Sequence, residues 1–222
     1  MTDNEVVIFG TGDFARTAAI YLGADSPYTV AAFTVNERYL DDAELNDIPV
    51  VPFESIEESH PPDRYSMFVA IGFSRVNRAR REVYEEAEQR GYQLISYVSS
   101  QAHCVVEPEL GNNCFVFEAN VIQPNVHIGD NVILWSGNHI GHDVRIGDNC
   151  FIASHVVISG NVEIGASCFI GVNATLRDGV KVAPECVIGA GALIMKDTVP
   201  GGVYSVRGTE PLEKRSWDLG NF

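Results

Sequence analysis

The chain has 222 residues, with 30 acidic against 15 basic side chains and a formal net charge of −15. That balance offers no basic face for a polyanion, which excludes DNA and RNA as partners. With 45% apolar and 20% charged residues the composition is globular rather than disordered, and no run of about 18 apolar residues is present to cross a membrane.

The start, Met1-Thr2-Asp3-Asn4-Glu5, is acidic and has no apolar core of the secretory kind, so a reducing cytoplasm is expected. Val6-Val7-Ile8-Phe9 predicts a strand. Gly10-Thr11-Gly12-Asp13 punctuates it, and Phe14 to Leu22 predicts a helix. Thr29–Thr34 and Met67–Ile71 predict two more strands, the second closed by Gly72. Arg75–Gly91 predicts a charged amphipathic helix with a glycine stop, and Leu94–Val98 a last strand. Strands alternating with helices imply a small parallel sheet with helices packed on it.

Near residue 98 the pattern changes. Counting in sixes from Leu110, fifteen consecutive positions through Ile194 are Leu, Ile or Val. At roughly one chance in four per position, such a run arises by accident about once in a billion. Gly often follows the aliphatic residue, as at Gly111, Gly129, Gly141, Gly147, Gly165, Gly171 and Gly189. Four residues after it stands a small or β-branched residue, such as Val144, Val162 or Ala174. The period predicts a parallel β-helix with three flat faces, one short strand and one corner per hexapeptide, and coils stacked about 4.8 Å apart.

Cys114, Cys150, Cys168 and Cys186 all fall at the small inward position, and the last three are spaced to stack in one column. They are expected to pack as small hydrophobes; no Cys spacing of the metal-binding kind occurs. Three of the six histidines, His139, His142 and His155, lie close together in sequence. His142 is two residues after the inward Ile140, hence at a corner, and Asp143 follows it. A His beside a carboxylate is held in one tautomer and made more basic, which suits a general base; simple solvation is the bland alternative.

The head-plus-β-helix layout is similar to the nucleotide-sugar acetyltransferases of the sialic acid O-acetyltransferase and bacillosamine N-acetyltransferase type. The residues that carry the resemblance are Phe9-Gly10-Thr11-Gly12, Phe68-Val69-Ala70-Ile71-Gly72, His142-Asp143, Ser159-Gly160-Asn161-Val162, Phe169-Ile170-Gly171-Val172-Asn173 and Val187-Ile188-Gly189-Ala190-Gly191-Ala192. The resemblance implies a Rossmann-like head over residues 1–98, a left-handed β-helix over 99–206 and a tail over 207–222. It implies acetyl-coenzyme A as co-substrate, with His142 the base and Asp143 its modulator. Gly160 would lie at the thioester, and Val172 and Ala190 would touch coenzyme A. Thr11, Gly12, Asp13 and Gly72 would hold a nucleotide-linked sugar. A homotrimer with its site between subunits is expected, since flat β-helix faces bury each other around a threefold axis. Asn138 and His139 are candidates for the acceptor side.

Several positions depart from that pattern. The glycine loop reads Gly12-Asp13-Phe14-Ala15, and Thr34-Val35-Asn36-Glu37 replaces the paired aspartates after the second strand. Phe151 stands where some relatives have a second His, with His155 nearby, and the closing signature is Ser205-Val206-Arg207-Gly208-Thr209-Glu210. By itself, Gly10-Thr11-Gly12-Asp13-Phe14-Ala15 fits a dinucleotide loop, a plain tight turn or a nucleotide-sugar phosphate site; the short head weighs against the first. A late group of cations, Arg177, Lys181, Lys196, Arg207, Lys214 and Arg215, suits a polyphosphate such as coenzyme A, or simply solubilises the end of the chain. Two other functions stay open: a zinc hydratase on the same β-helix using His139, His142 and His155, and a non-catalytic scaffold that binds sugar nucleotides.

Overall fold

A computed structural model describes residues 4–211, 213 and 215–218. Lys214 of the late basic group lies outside the described residues.

The head is built on a five-stranded sheet: β1 (Glu5–Phe9), β2 (Thr29–Val35), β3 (Glu44–Leu45), β4 (Ile48–Pro52) and β5 (Ser66–Val69), in spatial order β3-β4-β2-β1-β5. Only β3 runs antiparallel, to β4. The central β1 is apolar throughout because both its faces are covered. Val6 and Ile8 face a core shared with helix α1 (Asp13–Asp25), while Val7 and Phe9 face a second core with helix α3 (Arg78–Gln89). A short helix α2 (Ile56–Ser59) lies between β4 and β5. The chain leaves β1 toward β2 and β4 and returns to its other side as β5. The carboxyl ends of β1 and β5 therefore form the switch point where such sheets open a crevice.

Two head expectations change. Leu94–Val98 is not a strand of the head sheet: Leu94 makes one bridge to Met67, and Tyr97–Val98 pairs instead with Phe115–Val116 as the first rung of the β-helix. The helix expected from Arg75 starts at Arg78, because Arg75, Val76 and Asn77 are left-handed.

From Tyr97 the chain winds as a left-handed β-helix. Its first face stacks seven strands from Tyr97–Val98 to Val203–Tyr204, its second six from His103–Cys104 to Leu193–Ile194, and its third five from Glu109–Leu110 to Lys181–Val182. Residues pair with those eighteen positions later, as His139 does with Val157, except at the last rung, where Val187 pairs with Val203. The aliphatic column from Val116 to Ile194 is buried and Leu110, at the open end, half-buried. Cys114, Cys150, Cys168 and Cys186 are fully buried in the same core. The tight corners use left-handed residues, mostly Asn: Asn113, Asn125, Asn131, Asn149, Asn161 and Asn173 all have φ between 53° and 63°. Asn tolerates that region because its short side chain bonds locally.

The head seats on the first face. Phe14 of α1 packs against Phe68, Phe115, Phe117 and Trp135 at ring distances of 5.6–6.2 Å, and Phe117 meets Trp135 at 4.3 Å. Each such aromatic pair adds about 0.5–1.5 kcal/mol beyond the area it buries. Two polar ties flank the face. At the corner between first and second faces, the Tyr21 hydroxyl donates to Glu118 at 2.8 Å. At the corner between third and first faces, Arg80 is buried against Asn131. Among the described residues no helix is long and apolar enough to cross a membrane.

Candidate active site

His142 occupies the corner between the second and third faces, the vertex opposite the face that carries the head. The eighteen-residue stacking puts Gly160 and then Asp178 in its column, and Lys196, two residues after Ile194, continues it. His142 Nδ1 lies 2.8 Å from Asp143 Oδ2. The carboxylate accepts Nδ1–H, which leaves the Nε2 lone pair free. Asp143 is itself a left-handed corner residue, φ 59°, in the column of Asn125 and Asn161. The corner accepts Asn or Asp; only Asp places a carboxylate against the imidazole. The bond from His142, then that from Asn125 at 3.1 Å, holds the Asp143 carboxyl below the usual range. Both side chains of the pair are about half-exposed, 54% and 47%, so solvent and ligands reach them.

The ring lies over Gly160. A Cβ there would be 2.6 Å from Nε2 and 2.7 Å from Cε1. Gly160 is buried beneath that ring, and its amide lacks the acceptor that its equivalent one coil earlier has. One coil earlier, the equivalent His142 N–H is taken by Gln123 Oε1 at 2.8 Å. The counterpart of Gln123 in the next coil is Gly141, where a Cβ would sit 2.6 Å from Gly160 N. Among the described residues the Gly160 N–H therefore meets no acceptor. The result is a free imidazole nitrogen and a free N–H donor in adjacent coils, the pair that acyl transfer needs: a base for the attacking group and a donor for the developing oxyanion.

The other expected residues fall elsewhere. Val172 and Ala190 stack in the corner between first and second faces, where Gly171 leaves room at the Ala190 amide. His155 shares that corner, left-handed at φ 57°, its ring over Gly137. His139 stands midway across the second face, half-buried between Val121 and Val157. Asn138 is buried, and both its polar atoms are occupied: Nδ2 donates to Trp135 O at 2.5 Å and Oδ1 accepts from Val156 N at 2.8 Å. With these two bonds it braces the corner. His139, His142 and His155 thus lie on one face and two different corners, and the described residues hold no group of three His, Cys, Asp or Glu placed for a metal. Of the late cations, Lys181 pairs with Glu163 at 3.0 Å on the third face, while Arg177 and Lys196 are exposed at the His142 corner.

Of the expected sugar-nucleotide residues, Thr11 lines the head crevice, while Gly12, Asp13 and Gly72 are not in its wall. Gly10, φ 119°, is bound to be glycine: a Cβ would lie 2.9 Å from Ala70 O at the end of β5. Gly12 caps α1, and the Asp13 carboxylate pairs with Arg16, which also bonds Thr11 O at 2.9 Å. The crevice, about 680 Å³, has Thr11, Asn36, Arg38, Tyr39, Ile71 and Arg75 among its walls. Asn36, in place of the expected aspartates, is held by Glu54 at 3.1 Å. Thr11, Gly12, Asp13 and Gly72 lie across the prism from the His142 of their own chain. Gln123 and Asn125 were not singled out by motif; Asn125 lies eighteen residues before Asp143, and Gln123 eighteen before Gly141, the residue that precedes His142.

Residues 5–107 match the family described as PglD N-terminal domain, and residues 125–160 and 161–196 match bacterial transferase hexapeptide (six repeats). No curated protein sequence matches. Among solved structures, the chain is similar to the acetyltransferase domain of PglB from Neisseria gonorrhoeae, at 25% identity and TM-score 0.78 over 90% of this chain and 95% of that one. That domain has also been solved with acetyl coenzyme A. PerB from Caulobacter crescentus, solved with CoA and GDP-perosamine, is 28% identical with TM-score 0.77, over 91% and 92% of the two chains. WeeI from Acinetobacter baumannii, at 20% identity and TM-score 0.76 over 89% and 94%, shares the fold.

Proposed function

We propose that this chain, hexapeptide repeats joined to a PglD-like head, is an acyltransferase that moves an acetyl group from acetyl-coenzyme A to an amino or hydroxyl group of a nucleotide-linked sugar. The observation that carries the reading is the His142 corner, with Nε2 unblocked, Nδ1 on Asp143 and the Gly160 N–H beside them without an acceptor among the described residues. The PglB and PerB structures, with acetyl coenzyme A and with CoA plus GDP-perosamine, favour these two substrates.

His142 Nε2 takes the proton of the acceptor as its nitrogen or oxygen attacks the thioester carbonyl. Asp143 orients the ring and stabilises the imidazolium. The Gly160 N–H bonds the carbonyl oxygen as it gains charge, a contribution of about 3 kcal/mol for one such donor. The C–S bond breaks, and the proton on Nε2 passes to the departing thiolate. Val172 and Ala190 contact coenzyme A, with Lys196 near its phosphates. Thr11, Gly12, Asp13 and Gly72 hold the sugar nucleotide, and His139 lies on the acceptor side.

One chain cannot complete this site, because its crevice and its His142 are on opposite sides of the prism. A homotrimer supplies the missing half: the head of one subunit delivers the sugar to the His142 corner of the next. The second face is open for such a neighbour, with Val121, Val157 and Leu193 39%, 39% and 62% exposed. Thiol release from acetyl-coenzyme A against a panel of nucleotide-linked amino sugars and unsubstituted sugars tests the reading. His142→Ala should lower turnover by about two or more orders of magnitude in folded protein; near-normal turnover would remove His142 as base.

A further inference from the structure

The loop between β5 and α3 is strained, and it is held from behind. Arg75, Val76 and Asn77 have φ of 51°, 53° and 64°. Three successive left-handed residues without a glycine are disfavoured, most of all the β-branched Val76. Such a segment persists only where its surroundings over-determine it, and it is a mark of functional loops. Here the surroundings are Asn77 and Arg80, both buried. Asn77 Nδ2 donates to Cys168 O at 3.0 Å on the β-helix. Arg80 is fully buried, yet its polar contacts are all to neutral oxygens. Toward the head, Nη1 donates to Gly72 O at 3.0 Å and Asn77 Oδ1 at 3.2 Å. Toward the β-helix, Nε donates to Asn131 Oδ1 at 3.1 Å. Nη2 donates to the carbonyls of Asn131, Asn149 and Cys150 at 3.1–3.2 Å. A buried charge without a counter-ion is costly. Burial draws the Arg80 guanidinium down only to about 10, so the cation persists at neutral pH.

The other side of this loop is the wall of the crevice, through Ile71 and Arg75. We propose that Arg80 is the positioning residue of the nucleotide crevice: it fixes the Gly72–Asn77 loop to the β-helix corner and sets an uncompensated positive charge behind the site of an anionic nucleotide. This rests on the crevice being the sugar-nucleotide site of the proposed function. Arg80 is too deeply buried to touch a ligand, so it acts through the loop and through a field that no contacting carboxylate cancels, although Glu82 and Glu86 stand in the crevice wall. A surface arginine, by contrast, is claimed by its acidic neighbours, as Arg75 is by Glu82.

The test uses uridine and guanosine diphosphate as probes of the crevice and acetyl-coenzyme A as a probe of the β-helix, with binding read by calorimetry on the full-length protein. Arg80→Met should weaken the nucleoside diphosphate that the native chain binds by about tenfold, as for a loop competent only about a tenth of the time. Acetyl-coenzyme A affinity should be unchanged, and Arg80→Lys should recover part of the loss. Should Arg80→Met not fold, Asn77→Ala frees the loop while leaving Arg80 on the β-helix, and should show the same selective weakening. Equal loss of both ligands, or no loss of either, overturns the assignment while the crevice reading stands. If the native chain binds neither diphosphate, the crevice reading itself fails and takes the assignment with it.

Discussion

Gly160→Ala isolates the geometry of the His142 corner. The new methyl would sit 2.6 Å from Nε2, and ordinary contact begins at 3.4 Å, so the ring must retreat by about 0.8 Å. Displacing a reacting group by about 1 Å costs on the order of a hundredfold in rate, or about 2.7 kcal/mol in the barrier. The methyl also crowds the N–H meant for the oxyanion. The backbone at 160 lies outside the left-handed region, so alanine adds little strain, and the half-exposed ring has room to swing into solvent. Stability should therefore change by less than about 1 kcal/mol. The expected outcome is a kcat lower by about two orders of magnitude in the thiol-release assay, with the melting temperature nearly unchanged. A kcat within about threefold of native, in protein of native stability, would refute the claim that the free nitrogen above Gly160 is where the proton goes.

Two other outcomes follow from the structure. If each site joins the head of one subunit to the His142 of another, His142→Ala and a head variant such as Gly10→Val, both inactive alone, should complement. Equal co-expression should restore about a quarter of native activity, since half the corners and half the heads are intact and pair at random; no recovery above the parents would argue for a site within one chain. Asp25→Asn tests the seam between α1 and the first coil. The Ser100 and Tyr97 donors, the latter at 2.6 Å, hold the Asp25 carboxyl at about 2. Because the folded value lies below the unfolded one, its stabilisation is full above about pH 4 and lost as the pH falls toward 2. The substitution should cost about 1 kcal/mol at pH 7, after allowance for solvent screening, and only a small fraction of that near pH 2. Urea titrations at the two pH values read it, and a cost that persisted in acid would contradict the assignment.

The β-helix was legible in the sequence because every sixth residue points into one closed core, so the constraint repeats with no tertiary information. Its first coil was not. Val98 and Cys104 occupy inward positions but at the open end, where Val98 is 38% exposed and nothing demands a large aliphatic residue. Tyr97–Val98 consequently read as the end of the head. The His142–Asp143 pair was legible as adjacent letters, and Gly160 through resemblance. What remained hidden was contact between distant segments. The bonds of Asn138 to Trp135 and to Val156, eighteen residues on, could not be read from its place beside His139. Phe14, a departure in the glycine loop, turned out to be the ring that seats the head on Trp135. Arg80 looked like any charge on an amphipathic helix, since a sequence does not show that a side chain on α3 meets carbonyls seventy residues away.

The stacking of each residue on the one eighteen positions later also governs how such a chain can change in length. His142 and Lys196 share a corner three coils apart, or about 14 Å at the strand spacing. Adding or deleting eighteen residues between them would slide them by one step and leave both in the same corner. Any other length must be looped out at a corner, or it turns every later side chain onto the wrong face. Divergence is then confined to whole coils and corner excursions, and the span of cofactor this scaffold can measure comes in integer steps.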